Sequence, residues 1–288
     1  MNKVKIIADS TCDISLDFLK KNDIDILPLR VLIYGEEHLD LEEIKWKELE
    51  EKINKYNELP KTSAINIGTY IETFEKYSKE GYDIIFISIG DKFSSNYKNA
   101  VLAKEEFENV YVINSDNLSS AIGLMIMKMI KYRNLGLSAK EIYEKIEELK
   151  PRVITETALK TMNYLYKGGR CSGGKYLVGT LLKLYPIVRI NGDGEIKVHK
   201  IGKLRFKNAL DLVAADFKKE LENGNVDEDF IIISNVGNPE SQEYLYNKVS
   251  SFFPKDKIFQ FEAGCVVGAH CGPGTTGFFY IRKNRIED

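Results

Sequence analysis

Two adjacent serines, Ser94 and Ser95, follow the apolar run "DIIFISIG" and open the segment "DKFSSNYKNA". Hydroxyls at the mouth of a helix, where a buried strand ends, suit four kinds of chemistry. They can attack a carbonyl, cradle a phosphate, cap the helix or seat some other anion. Three more hydroxyl-rich turns share this setting: "DST" at 9–11, "KTSA" at 61–64, with Thr62 and Ser63, and "NSDNLSS" at 114–120. Each serves equally well as a helix N-cap when taken alone. All four, however, follow predicted strands of a parallel sheet, whose carboxyl ends share one edge where ligands bind. Helix N-termini at that edge favour anions. The set predicts a ligand whose head group is small and negatively charged, a carboxylate or a phosphate.

Other chemistries find less support. A serine esterase needs a base beside its nucleophile, and the chain has only His38, His199 and His270. His270 is available to Ser94, but the nucleophile-elbow pattern G-x-S-x-G is absent. "GPGTTG" at 272–277 fits the dinucleotide pattern G-x-G-x-x-G, but "FFYIRKN" after it reads as a strand, not the required helix. A tight glycine turn between antiparallel strands is the expectation there. No P-loop pattern occurs, so a phosphotransferase reading has no ATP site of that kind to rest on. No cysteine or histidine spacing suggests a metal, and Cys12, Cys171, Cys265 and Cys271 read as free thiols. In "YLYKGGRCSGGK", Gly168 and Gly169 allow an unusual backbone, and Arg170 offers a planar fork to a carboxylate or phosphate, or else a solvated surface arginine.

These residues need a scaffold. Short β-branched runs alternate with amphipathic helical stretches through the first half: "KVKIIADS", "YDIIFISI" and "NVYVIN" as strands, and "WKELEEKINKYN", "IGTYIETFEKYSKE" and "YKNAVLAKEEF" as helices. That alternation predicts an α/β, Rossmann-like domain with a parallel sheet. The rhythm changes after Pro151. "KLYPIVRINGDGEIKVHKIG" places two strand runs around a hairpin signal, so the second half reads as α+β with antiparallel strands. The expected division is 1–155 and 156–288, the second part completing the pocket. A helix over 118–133 is apolar nearly all round and carries Met125, Met127 and Met129, three of the chain's five methionines. Either it is packed core, or Ile122, Met125, Ile126 and Met129 form the wall of an apolar tunnel in which flexible side chains accommodate a lipid tail.

Bulk properties narrow the class. Across 288 residues, 41 basic and 43 acidic side chains nearly cancel, so bulk charge does not point to a nucleic-acid binder. The apolar run before Asp9 is too short for a signal peptide, and "AIGLMIMKMI" is about half a membrane span, which leads to the expectation of a cytoplasmic protein.

The stretches "IIADSTCDI", "KTS", "FSSNYKNA", "YLYKGGRCS", "LVGTLLKLYPI", "GKLRFKNAL" and "AHCGPGTTG", in this order over essentially the whole chain, resemble the DegV family of bacterial fatty-acid-binding proteins. That family includes the carrier subunits of the fatty acid kinase system. The resemblance implies a non-enzymatic, cofactor-free carrier of a long-chain fatty acid such as palmitate. A separate kinase subunit would convert the bound acid to an acyl-phosphate, and the carrier would touch a membrane surface transiently to collect lipid. By position, Thr62 and Ser94 match the hydroxyls that hold the carboxylate, with Ser63 and Ser95 beside them. His270 matches the histidine near the carboxylate. Arg170 and Arg205 match basic residues of the glycine-rich loop and of the pocket mouth, where a partner would bind. The family motif usually has Gly-Thr where this chain has Ser95-Asn96, Gln-Pro where it has Ala64-Ile65, and Asp where it has Asn114. Those departures bear on head-group geometry.

Overall fold

A computed structural model of the chain describes residues 3–171, 183–190 and 194–285. The first half runs β1 (Lys3–Asp9), α1 (Leu16–Lys21), β2 (Ile24–Leu27), β3 (Arg30–Ile33), β4 (Glu36–Leu39), α2 (Trp46–Tyr56), β5 (Lys61–Ser63), α3 (Ile67–Lys79), β6 (Tyr82–Ser88), α4 (Asn96–Lys104), β7 (Val110–Asn114), α5 (Ser120–Asn134) and α6 (Ala139–Leu149). The second half continues β8 (Val153–Ala158), α7 (Asn163–Lys167), β9 (Leu184–Ile190), β10 (Ile196–Lys203), α8 (Phe206–Glu222), β11 (Ile231–Asn235), α9 (Pro239–Val249), β12 (Ile258–Glu262), α10 (Cys265–Cys271) and β13 (Thr276–Ile281).

The fold is mixed α/β, as the alternation of runs predicts. A four-stranded sheet in the order β2-β1-β6-β7 is parallel throughout. Its central strands β1 and β6 are buried from Lys5 to Asp9 and from Ile84 to Ser88, which is why they read as unbroken apolar runs rather than as an alternation. A six-stranded sheet, β10-β9-β8-β13-β11-β12, is antiparallel except for the β11–β12 pair. The chain passes from one sheet to the other between α6 and β8. The turn that joins β9 to β10 falls at 191–195, partly outside the described residues.

Two local expectations are corrected here. Pro28 splits "DIDILPLRVLIY" into β2 and β3, and β3 joins β4 and β5 in a separate three-stranded antiparallel sheet. "KTS" is therefore β5, with Thr62 opposite Val31, and not the end of a parallel strand. "GPGTTG" joins α10 to β13, with Gly272 and Gly274 at φ +81° and +77°, rather than linking two strands.

The methionine-rich helix is core. From Ser120 to Ile130 every residue of α5 is buried, because β1 contacts it on one side and β8, β11 and β13 on the other. Ile122, Met125, Ile126 and Met129 pack in one cluster with Ile6 and Ile87 of the parallel sheet and Ile232 and Phe279 of the other. Lys128 is the one charged residue in that buried stretch, and its ammonium reaches out to Asp227 and Asp229, 2.6 Å from each. The helix packs between the sheets, and the cavity at the strand ends is lined by none of its described residues.

Candidate functional site

The carboxyl end of β1 organises the ligand edge. Asp9 is wholly buried and accepts hydrogen bonds from the backbone N–H of Thr11 (3.0 Å) and Ile89 (2.8 Å) and from the Asn96 side-chain amide (3.1 Å). Burial raises its pKa above the usual carboxylate value, and these donors work against that rise. The β6–α4 turn, which carries Ser94 and Ser95, is thereby tied to β1. The opposite wall is α10, whose first N–H groups are held by two buried carboxylates from the first half. Gly264 N–H donates to Asp13 and Cys265 N–H to Asp40, at 2.8 and 2.7 Å. Burial pushes Asp40 up to about 6.

Between these walls lies a cavity of about 190 Å³, many times the roughly 10–15 Å³ that one water requires. It is amphipathic. Thr62, Ser63, Ser94 and Ser95 bring four hydroxyls to its lining, together with His270 and Arg170. Leu29, Ile89, Phe93 and Leu118 from the first half and Leu165, Ile196, Val266 and Val267 from the second supply its apolar lining. Cys271 completes the apolar wall, with its thiol pushed up to about 12 by burial and so uncharged. The cavity thus lies between the two halves rather than inside the first, and α10 supplies much of its far side.

His270 Nε2 sits 2.9 Å from Thr62 Oγ1. Burial, and then the charge of Arg170, push the imidazole down to about 4, so it is neutral near pH 7. If Nε2 carries the proton it donates to Thr62 Oγ1, and the threonine hydroxyl is left free to donate into the cavity. Ser94 Oγ accepts from Asn96 N–H at 3.3 Å, and its own proton is likewise available. Arg170 is half-buried, donating to the carbonyls of Phe93 (3.2 Å) and Gly168 (2.6 Å), and it has no acidic partner among the described residues. Gly168 presses on the histidine: a Cβ there would lie 2.4 Å from His270 Nδ1 and 2.9 Å from the Tyr164 carbonyl oxygen. Gly168→Ala should therefore push the ring off Thr62. In NMR the wild-type His270 ring should stay neutral down to about pH 4, whereas in the variant its titration should move up towards an ordinary value of about 6.5. An unmoved titration would show that the ring tolerates the methyl group.

The structure brings together Thr62, Ser63, Ser94, Ser95, His270 and Arg170 at one cavity. It does not bring Arg205, which is exposed just before α8 and lines none of it. Nor does it bring Ile122, Met125, Ile126 or Met129, whose side chains are spent on the core. Sequence reasoning missed the actual apolar wall from α10, Leu29, Phe93 and Ile196, and it missed the supporting roles of Asp9 and Asn96. The doublet "VV" at 266–267 before His270 was the available signal for the α10 wall.

A family model described as "Uncharacterised protein, DegV family" matches residues 3–283. A DegV domain-containing protein of Clostridium acetobutylicum is 35% identical over 285 residues, covering 98% of this chain and all of the relative. Among solved structures, a DegV lipid-binding protein from Thermotoga maritima superposes with a TM-score of 0.84 at 27% identity, over 99% of this chain and 100% of that one. DegV, a fatty-acid-binding protein from Bacillus subtilis, gives 0.86 at 25% identity, over 98% and 100%. A stearic-acid-binding protein from Eubacterium ventriosum gives 0.85 at 25% identity, over 98% and 99%.

Proposed function

Because this chain belongs to the DegV family, we propose that it binds a long-chain fatty acid, with the carboxylate at Thr62 and Ser94 and the tail along the aliphatic wall between the two halves. The observation that carries this reading is the mixed lining of the cavity, where four hydroxyls and a neutral imidazole meet Leu, Ile, Val and Phe side chains. The solved relatives described as lipid-, fatty-acid- or stearic-acid-binding support the ligand class. Ser63 and Ser95 are secondary donors at the rim, and Arg170 supplies positive charge near the head group.

The energetics favour such a complex. A C16 chain buries about fifteen methylenes at ~0.8 kcal/mol each, so up to about 12 kcal/mol before association and ordering costs. An unpaired carboxylate would cost several kcal/mol. Two hydrogen bonds to it, at about 1.5–3 kcal/mol each, offset most of that. The tail sets affinity and the hydroxyls set orientation. Hydrolysis is the weaker reading, because the hydroxyl that meets His270 belongs to Thr62, while Ser94 Oγ meets the Asn96 N–H and no base among the described residues.

In the fuller form of the proposal the bound acid is presented, carboxylate outward, to a separate kinase that forms the acyl-phosphate. The carrier takes up its lipid at a membrane surface and works in the cytoplasm. The test is mass spectrometry of lipid released on denaturing protein purified from a bacterial host. A stoichiometric fatty acid is expected, and its acyl-phosphate should appear on adding the kinase with ATP. Protein that carries no fatty acid and takes up no added palmitate would overturn the reading, as would turnover of a short ester by the chain alone.

A further inference from the structure

Thr62 lies in β5 and Ser94 in the turn between β6 and α4, in different stretches of chain, so something must fix the distance between them. The first turn of α4 does this. Asn96 is fully buried, and its side-chain carbonyl accepts from Ile65 N–H at 2.9 Å, while its amide donates to Asp9 at 3.1 Å. Its backbone N–H donates to Ser94 Oγ at 3.3 Å. One turn later Asn99 donates to the Ile65 carbonyl at 2.8 Å. Both backbone groups of Ile65, three residues after Thr62, are thus held by the helix that begins just after Ser94. The partners also fix the chemistry. Ile65 N–H needs an acceptor and the Asp9 carboxylate needs a donor, and a single side chain must offer both. An amide does so, and a hydroxyl can. A methyl group offers neither, and a carboxylate in place of the amide would face Asp9 with like charge.

We infer that Asn96 is the positioning residue that sets the spacing of the two carboxylate donors, Thr62 and Ser94, by clamping the turn after β5 to the carboxyl end of β1. This rests on the fatty-acid reading above and names what makes its head-group site selective for an acid over other lipids with the same tail.

The test compares affinities for palmitate and hexadecanol, which share a tail and differ at the head, in wild type, Asn96→Ala, Asn96→Asp and Asn96→Thr, with Tm measured for each. Wild type should prefer palmitate by at least about tenfold. Asn96→Ala and Asn96→Asp should lose about tenfold in palmitate affinity, roughly one hydrogen bond to a charged group, and stay within about twofold for hexadecanol. Asn96→Thr should retain most of the preference. A merely structural residue would lower both affinities together, so folded Ala and Asp variants with an unchanged palmitate-to-hexadecanol ratio would overturn the inference. If those two variants fail to fold, Asn99→Ala decides. Asn99 is part-exposed and releases the other half of the clamp, so a drop of about threefold in the ratio is expected and no drop overturns the inference. A wild type that binds neither compound, or both equally, removes the carboxylate reading itself, and that outcome is distinct from the others.

Discussion

Thr62→Val combined with Ser94→Ala is expected to lower palmitate affinity about a hundredfold while leaving hexadecanol nearly unaffected. Each hydroxyl is worth about 1.5–3 kcal/mol to a bound carboxylate. Water reaching the head group recovers part of this, which leaves a loss of about 3 kcal/mol, or two decades in affinity. The aliphatic wall is untouched, so the tail contribution remains and lipid should still copurify in part. Orientation should suffer more than occupancy, because only the rim serines and Arg170 then remain near the carboxylate, and acyl-phosphate formation by a kinase should fall further than binding. Valine keeps the shape of Thr62 but strips His270 of its partner at Nε2, when Nδ1 already has none among the described residues. A modest loss of stability, about 1 kcal/mol, is expected with it. Isothermal titration with both lipids reads the outcome, and unchanged palmitate affinity in the folded double variant would end the assignment of these two hydroxyls.

How far the sequence could carry this follows from which interactions are local. β1 and β6 are legible because central parallel strands must be apolar along their whole length, and "NGDG" marks a hairpin by turn chemistry alone. Ser94 and Ser95 are legible as ligand-edge residues for the same reason, since a strand's end can be found from the strand. Thr62 lines the cavity from an antiparallel strand and not from the expected parallel one, because a three-residue strand such as β5 leaves no periodic trace. The tail wall failed differently. An all-apolar helix is buried on every side whether its neighbours are protein or lipid, and α5 is surrounded by protein. Composition cannot separate those cases. The apolar lining of the cavity comes in good part from α10, seven residues long, whose first N–H groups are held by Asp13 and Asp40 more than 200 residues earlier. No local pattern encodes such a contact.

That long-range placement makes α10 the most sensitive point of the cavity, and Gly268→Ala should show it. A Cβ at 268 would lie 2.3 Å from Trp46 Cε3 and 2.5 Å from Cζ3. The indole is 2% exposed and has backbone at its other end too, where a Cβ on Gly237 would come within 2.4 Å of Nε1. It cannot retreat towards Gly237 without meeting that chain. The helix cannot easily retreat either, because Asp13 and Asp40 hold its first two N–H groups. Gly→Ala inside a helix ordinarily gains about 0.5–1 kcal/mol, but overpacking a tight contact costs about 1–3 kcal/mol, and here the clash should win. The strain is relieved by tilting α10, which carries Val266, Val267 and His270 into the cavity. Palmitate retention should therefore fall at least about tenfold, no less than the loss of one hydrogen bond to a charged group produces, with a Tm several degrees lower. Trp46 is the chain's single tryptophan, so its emission reports the displacement directly. A red shift together with weakened binding is expected. Unaltered emission and wild-type affinity would mean that α10 is free to give way, and that the two carboxylates at its start do not fix the wall.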